Sequence, residues 1–149
     1  MWQRIRRAVS DDGSGVALFV DGPNVLREEF DVDLDDLRAA AGGQGPVTIA
    51  RLYLDENAPS GLIRAAEAHG YDVRVTSGDV DVKLAIDATE LVLSTVPSHI
   101  AVASRDTDFK PLIELASRHG VGTVAIAPGR HGRSDALPAT AEHAITLGE

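Results

Sequence analysis

Apolar residues fall along this chain in short blocks whose spacing switches between two periods. Residues 16–20 (VALFV), 47–54 (VTIARLYL), 71–77 (YDVRVTS), 99–104 (HIAVAS) and 122–127 (GTVAIA) are continuous or alternating runs of strand length, rich in β-branched residues. A shorter run, 143–147 (HAITL), predicts a last strand. Between them lie helical patterns. Residues 34–41 (LDDLRAAA) follow Asp33, a natural N-cap, and are broken by GGQGP at 42–46. Residues 61–70 and 108–120 each close on a glycine, Gly70 and Gly120, and Pro111 sits near a first turn, where proline is tolerated. Residues 81–95 predict the longest helix, and 134–141 (SDALPATA) a helical turn. Strand and helix alternate throughout, which predicts an α/β fold of three layers: a central, mainly parallel sheet of five to six strands flanked by helices. Residues 1–15 read as a flexible lead-in and 16–149 as one domain.

In an open parallel sheet, function collects beyond the carboxyl ends of the strands. The residues there are polar after every strand and acidic after four of the first five: Asp21-Gly22-Pro23-Asn24, Asp55-Glu56-Asn57, Ser77-Gly78-Asp79-Val80-Asp81 and Ser104-Arg105-Asp106-Thr107-Asp108. Any one of these is an ordinary turn or cap residue, and Asp81 and Asp108 stand where helix N-caps belong. The set is different. Asp21 ends a buried strand without being needed by the turn that follows, and Asp106 and Asp108 lie within one turn of each other. Converging carboxylates repel and resist ionisation unless a cation joins them. Carboxylate oxygens suit Mg²⁺ or Mn²⁺. On the long helix, Lys83, Asp87 and Glu90 form one polar stripe, so Asp87 is either a partner of Lys83 or a side chain reaching the strand ends.

Composition narrows the classes. With no cysteine there is no disulfide frame and no thiolate metal site. No apolar run is long enough to span a bilayer. The basic opening residues lack the apolar stretch of a secretory signal, so a cytoplasmic location is expected. The formal net charge of −9 opposes phosphate binding over the general surface, and a metal within the acidic cluster would reverse that locally. Six acids crowd residues 28–36 (EEFDVDLDD) and read as a solvated loop and helix start. GRHGRS at 129–134 follows the fifth strand; Arg130 and Arg133 are candidates for holding phosphates and Ser134 for the water network, against the plain reading of a glycine loop with a capping serine. Trp2, Arg4, Arg6 and Arg7 offer a further basic segment. There is no GxSxG and no GxxxxGK[ST], which removes the serine-hydrolase and P-loop classes. A receiver domain would require a lysine where Pro128 ends the fifth strand.

FVDGPNV (19–25), DVDVKLAIDATEL (79–91) and VASRDTDFKPLIELASRHGVGTVAI (102–126) resemble the three ordered motifs of the NYN domain, a branch of the PIN-like metal-dependent ribonucleases. The resemblance runs from about Val16 to Leu147 and implies a PIN-like fold and RNA hydrolysis with Mg²⁺ or Mn²⁺. It implies Asp21 and Asn24 at the first strand end, Asp81 and Asp87 on the central helix, and Asp106 and Asp108 in the turn, with Arg105 near substrate. One departure stands out: Gly78-Asp79 occupies the place where many relatives carry Lys-Gly. That departure and the acidic surface keep a second class in view, a non-catalytic regulator that keeps the fold and binds RNA or another partner. The last strand and the apolar side of helix 81–95 also suggest a homodimer.

Overall fold

The computed structural model of the protein describes residues 15–129 and 136–148. Six strands, β1 (Val16–Asp21), β2 (Val47–Asp55), β3 (Asp72–Thr76), β4 (His99–Ala103), β5 (Gly122–Pro128) and β6 (His143–Leu147), form one sheet in the order β3-β2-β1-β4-β5-β6. Every pairing is parallel. The helices are α1 (Gly22–Val25), α2 (Leu34–Ala41), α3 (Ser60–Ala68), α4 (Val80–Ser94), α5 (Lys110–Arg118) and α6 (Ala136–Thr140).

The layers follow from alternation along the buried strands. All six residues of β1 are buried. Val16, Leu18 and Val20 face one way, into a core with Leu34, Leu37 and Ala66 from α2 and α3. Ala17 and Phe19 face the other way, against Leu84, Ala88 and Leu91 of α4 and Leu112, Ile113 and Ala116 of α5. Burial on both faces is why the central strands read as continuous apolar runs.

Local signals place the element ends. Asp33 caps α2 in a reciprocal box: its Oδ1 accepts from Asp36 N at 2.8 Å, and Asp36 Oδ2 accepts from Asp33 N at 3.2 Å. Gly70 (φ +86°) and Gly120 (φ +76°) take the left-handed conformation that ends α3 and α5. Two details differ from the sequence expectation. The turn after β1 is a full helical turn, α1, because Pro23 presets a helical φ at its start. The helix expected over 108–120 opens with a tighter 3₁₀ turn, Thr107–Phe109, before α5. Gly22 is required by packing rather than by φ, since a Cβ there would stand 2.6 Å from the Tyr53 carbonyl oxygen.

From β1 the chain runs outward to β2 and β3, then returns to lay β4 on the other side of β1 and proceeds to β5 and β6. The switch point is therefore the crevice between the carboxyl ends of β1 and β4, the place where such sheets bind ligands. Among the described residues, no helix is long and apolar enough to cross a membrane.

Candidate metal centre

Two strand ends face each other across the crevice. Register pairs Val20 with Ala103, so the next residue on each strand, Asp21 and Ser104, meet there. Both are buried, and the Ser104 hydroxyl donates to Asp21 Oδ2 at 3.1 Å. The same hydroxyl oxygen accepts from Asp106 N at 3.0 Å. Asp106 then caps the 3₁₀ turn, its Oδ1 accepting from Asp108 N at 2.9 Å. A second tie crosses the crevice from α1: Asn24 Oδ1 accepts from Arg105 N at 2.6 Å. These bonds make the strand-end turns one rigid unit.

α4 supplies the third side. Asp79 holds its N-cap position without a side-chain capping bond, and Asp81 lies in its first turn. One oxygen from each of Asp81, Asp106 and Asp108 lies within 4.8 Å of the other two. Ligands on opposite sides of a Mg²⁺-sized or Ca²⁺-sized ion stand about 4–5 Å apart, so the three carboxylates fit around one cation, and their hard oxygens match Mg²⁺ or Mn²⁺. Asp21, Asp81 and Asp106 line a single open cleft of about 360 Å³, together with Asn24, Arg27 and Asp55. The accumulated charge is felt at the deepest member. Burial pushes the Asp21 carboxyl up to about 6, and the negative charges of Asp106 and Asp81 add to the rise, against the Ser104 hydroxyl and the Asn24 backbone N–H.

Asp87 stands apart from this group. Six residues after Asp81, it projects about 120° away around the helix and points at β2 and β3. There it is buried, accepting from the Tyr53 hydroxyl at 2.9 Å, with Lys83 Nζ at 3.1 Å and Arg74 Nη1 at 3.4 Å. The i,i+4 pairing with Lys83 that the sequence offered as one alternative is present, in a buried and more heavily partnered form. Tyr53→Phe is expected to cost about 1–2 kcal/mol of stability by removing one bond from this buried carboxylate, without changing divalent-metal affinity; urea unfolding and a metal titration measure the two separately.

Arg105, tied to Asn24 through its backbone, has its guanidinium 4.7 Å from the Phe30 ring centroid. Arg130, Arg133 and Ser134, and Trp2, Arg4, Arg6 and Arg7 of the opening segment, lie outside the described residues. Ser104 is the member to which sequence reading gave no role. A serine one residue beyond a buried strand is unremarkable until the β1–β4 register places it beside Asp21. Asp55 and Asp79, strand-end acids in the sequence, line the same cleft.

Comparison with known proteins bears on the family and the fold. A model of the NYN domain matches residues 15–148. An uncharacterized protein of Methanocaldococcus jannaschii is 41% identical over 134 residues, which cover 90% of this chain and 55% of that protein. The chain thus spans about half the length of that relative. Among solved structures, a protein of unknown function from Vibrio parahaemolyticus superimposes with a TM-score of 0.75 over 93% of this chain and 96% of its own, at 20% identity, and so shares the fold. With the family's pattern matched over nearly its whole length, the chain belongs to the NYN domain family.

Proposed function

We propose that the protein is a metal-dependent ribonuclease that hydrolyses RNA phosphodiester bonds in the cleft between β1, β4 and α4. The observation that carries this reading is the convergence of Asp81, Asp106 and Asp108 at the switch point of an NYN-family sheet. Asp81, Asp106 and Asp108 hold the ion, and Asp21 backs them from the buried strand end. A bound Mg²⁺ or Mn²⁺ supplies Lewis acidity toward the phosphate and makes an attacking water more acidic. Among the described residues, those lining the cleft include no serine, cysteine or histidine, which favours water as the attacking species. Ser104 holds Asp21 and the Asp106 backbone in fixed relation, which spares the site a reorganisation cost. Asn24 anchors the opposite wall through Arg105 N. Among the described residues, Arg27 is the cationic side chain on the cleft wall, exposed and paired with Glu29 at 2.7 Å, and is a candidate for meeting a substrate phosphate. RNA as the substrate class follows from the family, and the work would be done by the chain's own NYN domain.

A second reading is favoured by Asp55 and Asp79, which add negative charge to the cleft wall and would repel a polyanion. On that reading the domain binds a metal and a partner without cutting. Purified protein incubated with single-stranded and structured RNAs in Mn²⁺, Mg²⁺ or EDTA separates the two. Cleavage in either metal that EDTA abolishes is expected. Intact RNA under every condition, together with saturable metal binding, would instead support the regulator.

A further inference from the structure

α4 carries two apolar faces, and the fold uses one. Leu84, Ala88, Leu91 and Val92 are buried against the sheet and α5. The outward face shows Val82, Ile86 and Leu93 at 51%, 58% and 54% exposure, continued past the helix end by Val96 at 54%. These are four of the five large hydrophobics exposed among the described residues, the fifth being Val75 on β3. Isolated exposed apolar side chains are normal on a soluble protein. These four are not isolated. With Thr89, the three on the helix follow the spacing 4, 3, 4 (82, 86, 89, 93), the seam of a two-helix coiled coil over about three turns. A shallow apolar groove lies along the seam, lined by Ala85, Ile86, Thr89, Glu90 and Leu93.

We propose that this seam is the contact between two copies of the chain, packed α4 against α4 in antiparallel fashion about a two-fold axis near Ile86 and Thr89. The flanking charges choose the occupant and the direction. Lys83 and Glu90, seven residues apart, border the seam on one side; on the other Ala85 borders it, with Val92 beyond it buried against the core. In an antiparallel pair each flank faces its own copy, so the Lys83 of each chain meets the Glu90 of the other, twice. In a parallel pair the charged flank would face the apolar one, and both charges would lose water without gaining a partner. Lys83 already touches Asp87 at 3.1 Å, and an ammonium has donors for a second carboxylate. A self-complementary flank of this kind fits another copy better than an unrelated helix. The seam is about 22 Å long, the length of a 15-residue helix, so the buried area falls at the low end for specific interfaces, below about 1,200 Å². The dimer is therefore reversible within a measurable concentration range.

Sedimentation of the full 149-residue chain across about 1 µM to about 1 mM tests this. The mass is expected to rise from 15.7 kDa to twice that value with concentration. Ile86→Arg should hold the chain at monomer mass, and Glu90→Lys should weaken association about tenfold or more, the equivalent of one lost ion-pair set. Both positions are exposed, so circular dichroism should stay at the parent spectrum. Val75→Arg, an equally exposed change away from the seam, should dimerise as the parent does. Monomer mass for the parent at all concentrations would overturn the proposal and leave the seam to a foreign partner. A dimer that survives Ile86→Arg would also overturn it, placing the contact at another surface such as the edge strands β3 or β6.

Discussion

Asp106→Asn is expected to lower metal-dependent RNA cleavage by several orders of magnitude while leaving the metal-free protein as stable as the parent or more stable. Asp106 has two duties that the substitution separates. Its Oδ1 caps the 3₁₀ turn by accepting from Asp108 N, and an amide oxygen does that almost as well. Its charge belongs to the group with Asp81 and Asp108 and raises the Asp21 carboxyl. Removing that charge dilutes a repulsive cluster in the empty site and takes a ligand from the metal. Cleavage rate and thermal midpoint, each with and without Mn²⁺, provide the readout. A variant that cleaves at the parent rate and gains as much stability from Mn²⁺ would reduce Asp106 to its capping role.

Asp21→Asn is expected to stabilise the metal-free protein by up to about 3 kcal/mol above pH 7, and by nothing near pH 4. The Asp21 carboxyl titrates near 6 when folded, against 3.8 for the ordinary side chain, chiefly because burial strips water from the charged form. The folded state therefore binds this proton more tightly than the unfolded state. Between about pH 4 and pH 6 the native protein holds more protons, so its stability falls as pH rises through that window. Above it the full cost of a buried, repelled charge remains, about 3 kcal/mol for a displacement of this size. The uncharged amide carries no such cost. Urea unfolding of parent and variant in EDTA from pH 4 to pH 8 should show curves that diverge with rising pH. Parallel curves would mean that Asp21 is not a charge held against its surroundings. Adding Mn²⁺ at pH 7.5 should close the gap by stabilising the parent more than the variant, because the cation relieves in the parent what the substitution removes.

The periodicities carried the fold well because the strands are buried on both faces and the helices are capped by residues that advertise themselves. Asp33, Gly70, Gly120 and the HAITL strand all fall where the chain alone puts them. The cleft was half legible. Asp21, Asp81, Asp106 and Asp108 stood out because strand ends are where a parallel sheet gathers function. Ser104 did not, since its role depends on a β1–β4 register that no local pattern encodes. Asp87 was ambiguous for a similar reason. A helical wheel shows Lys83 beside it, but the Tyr53 hydroxyl and Arg74 arrive from β2 and β3, and their bonds decide which way the carboxylate faces. The Arg105 guanidinium also lies over the Phe30 ring, a contact made by a 3₁₀ turn some 75 residues earlier, where acid-rich composition gave no hint of it.

Anomalous scattering from crystals grown in Mn²⁺ locates the ion without reference to any activity. A strong peak is expected in the crevice between β1 and β4, within about 2.5 Å of carboxylate oxygens from Asp81, Asp106 and Asp108, with Asp21 reaching it directly or through one water. A peak beside Asp87 or along the acidic run 31–36, or no peak at a Mn²⁺ concentration that supports RNA cleavage, would contradict the assignment of this cleft as the metal centre.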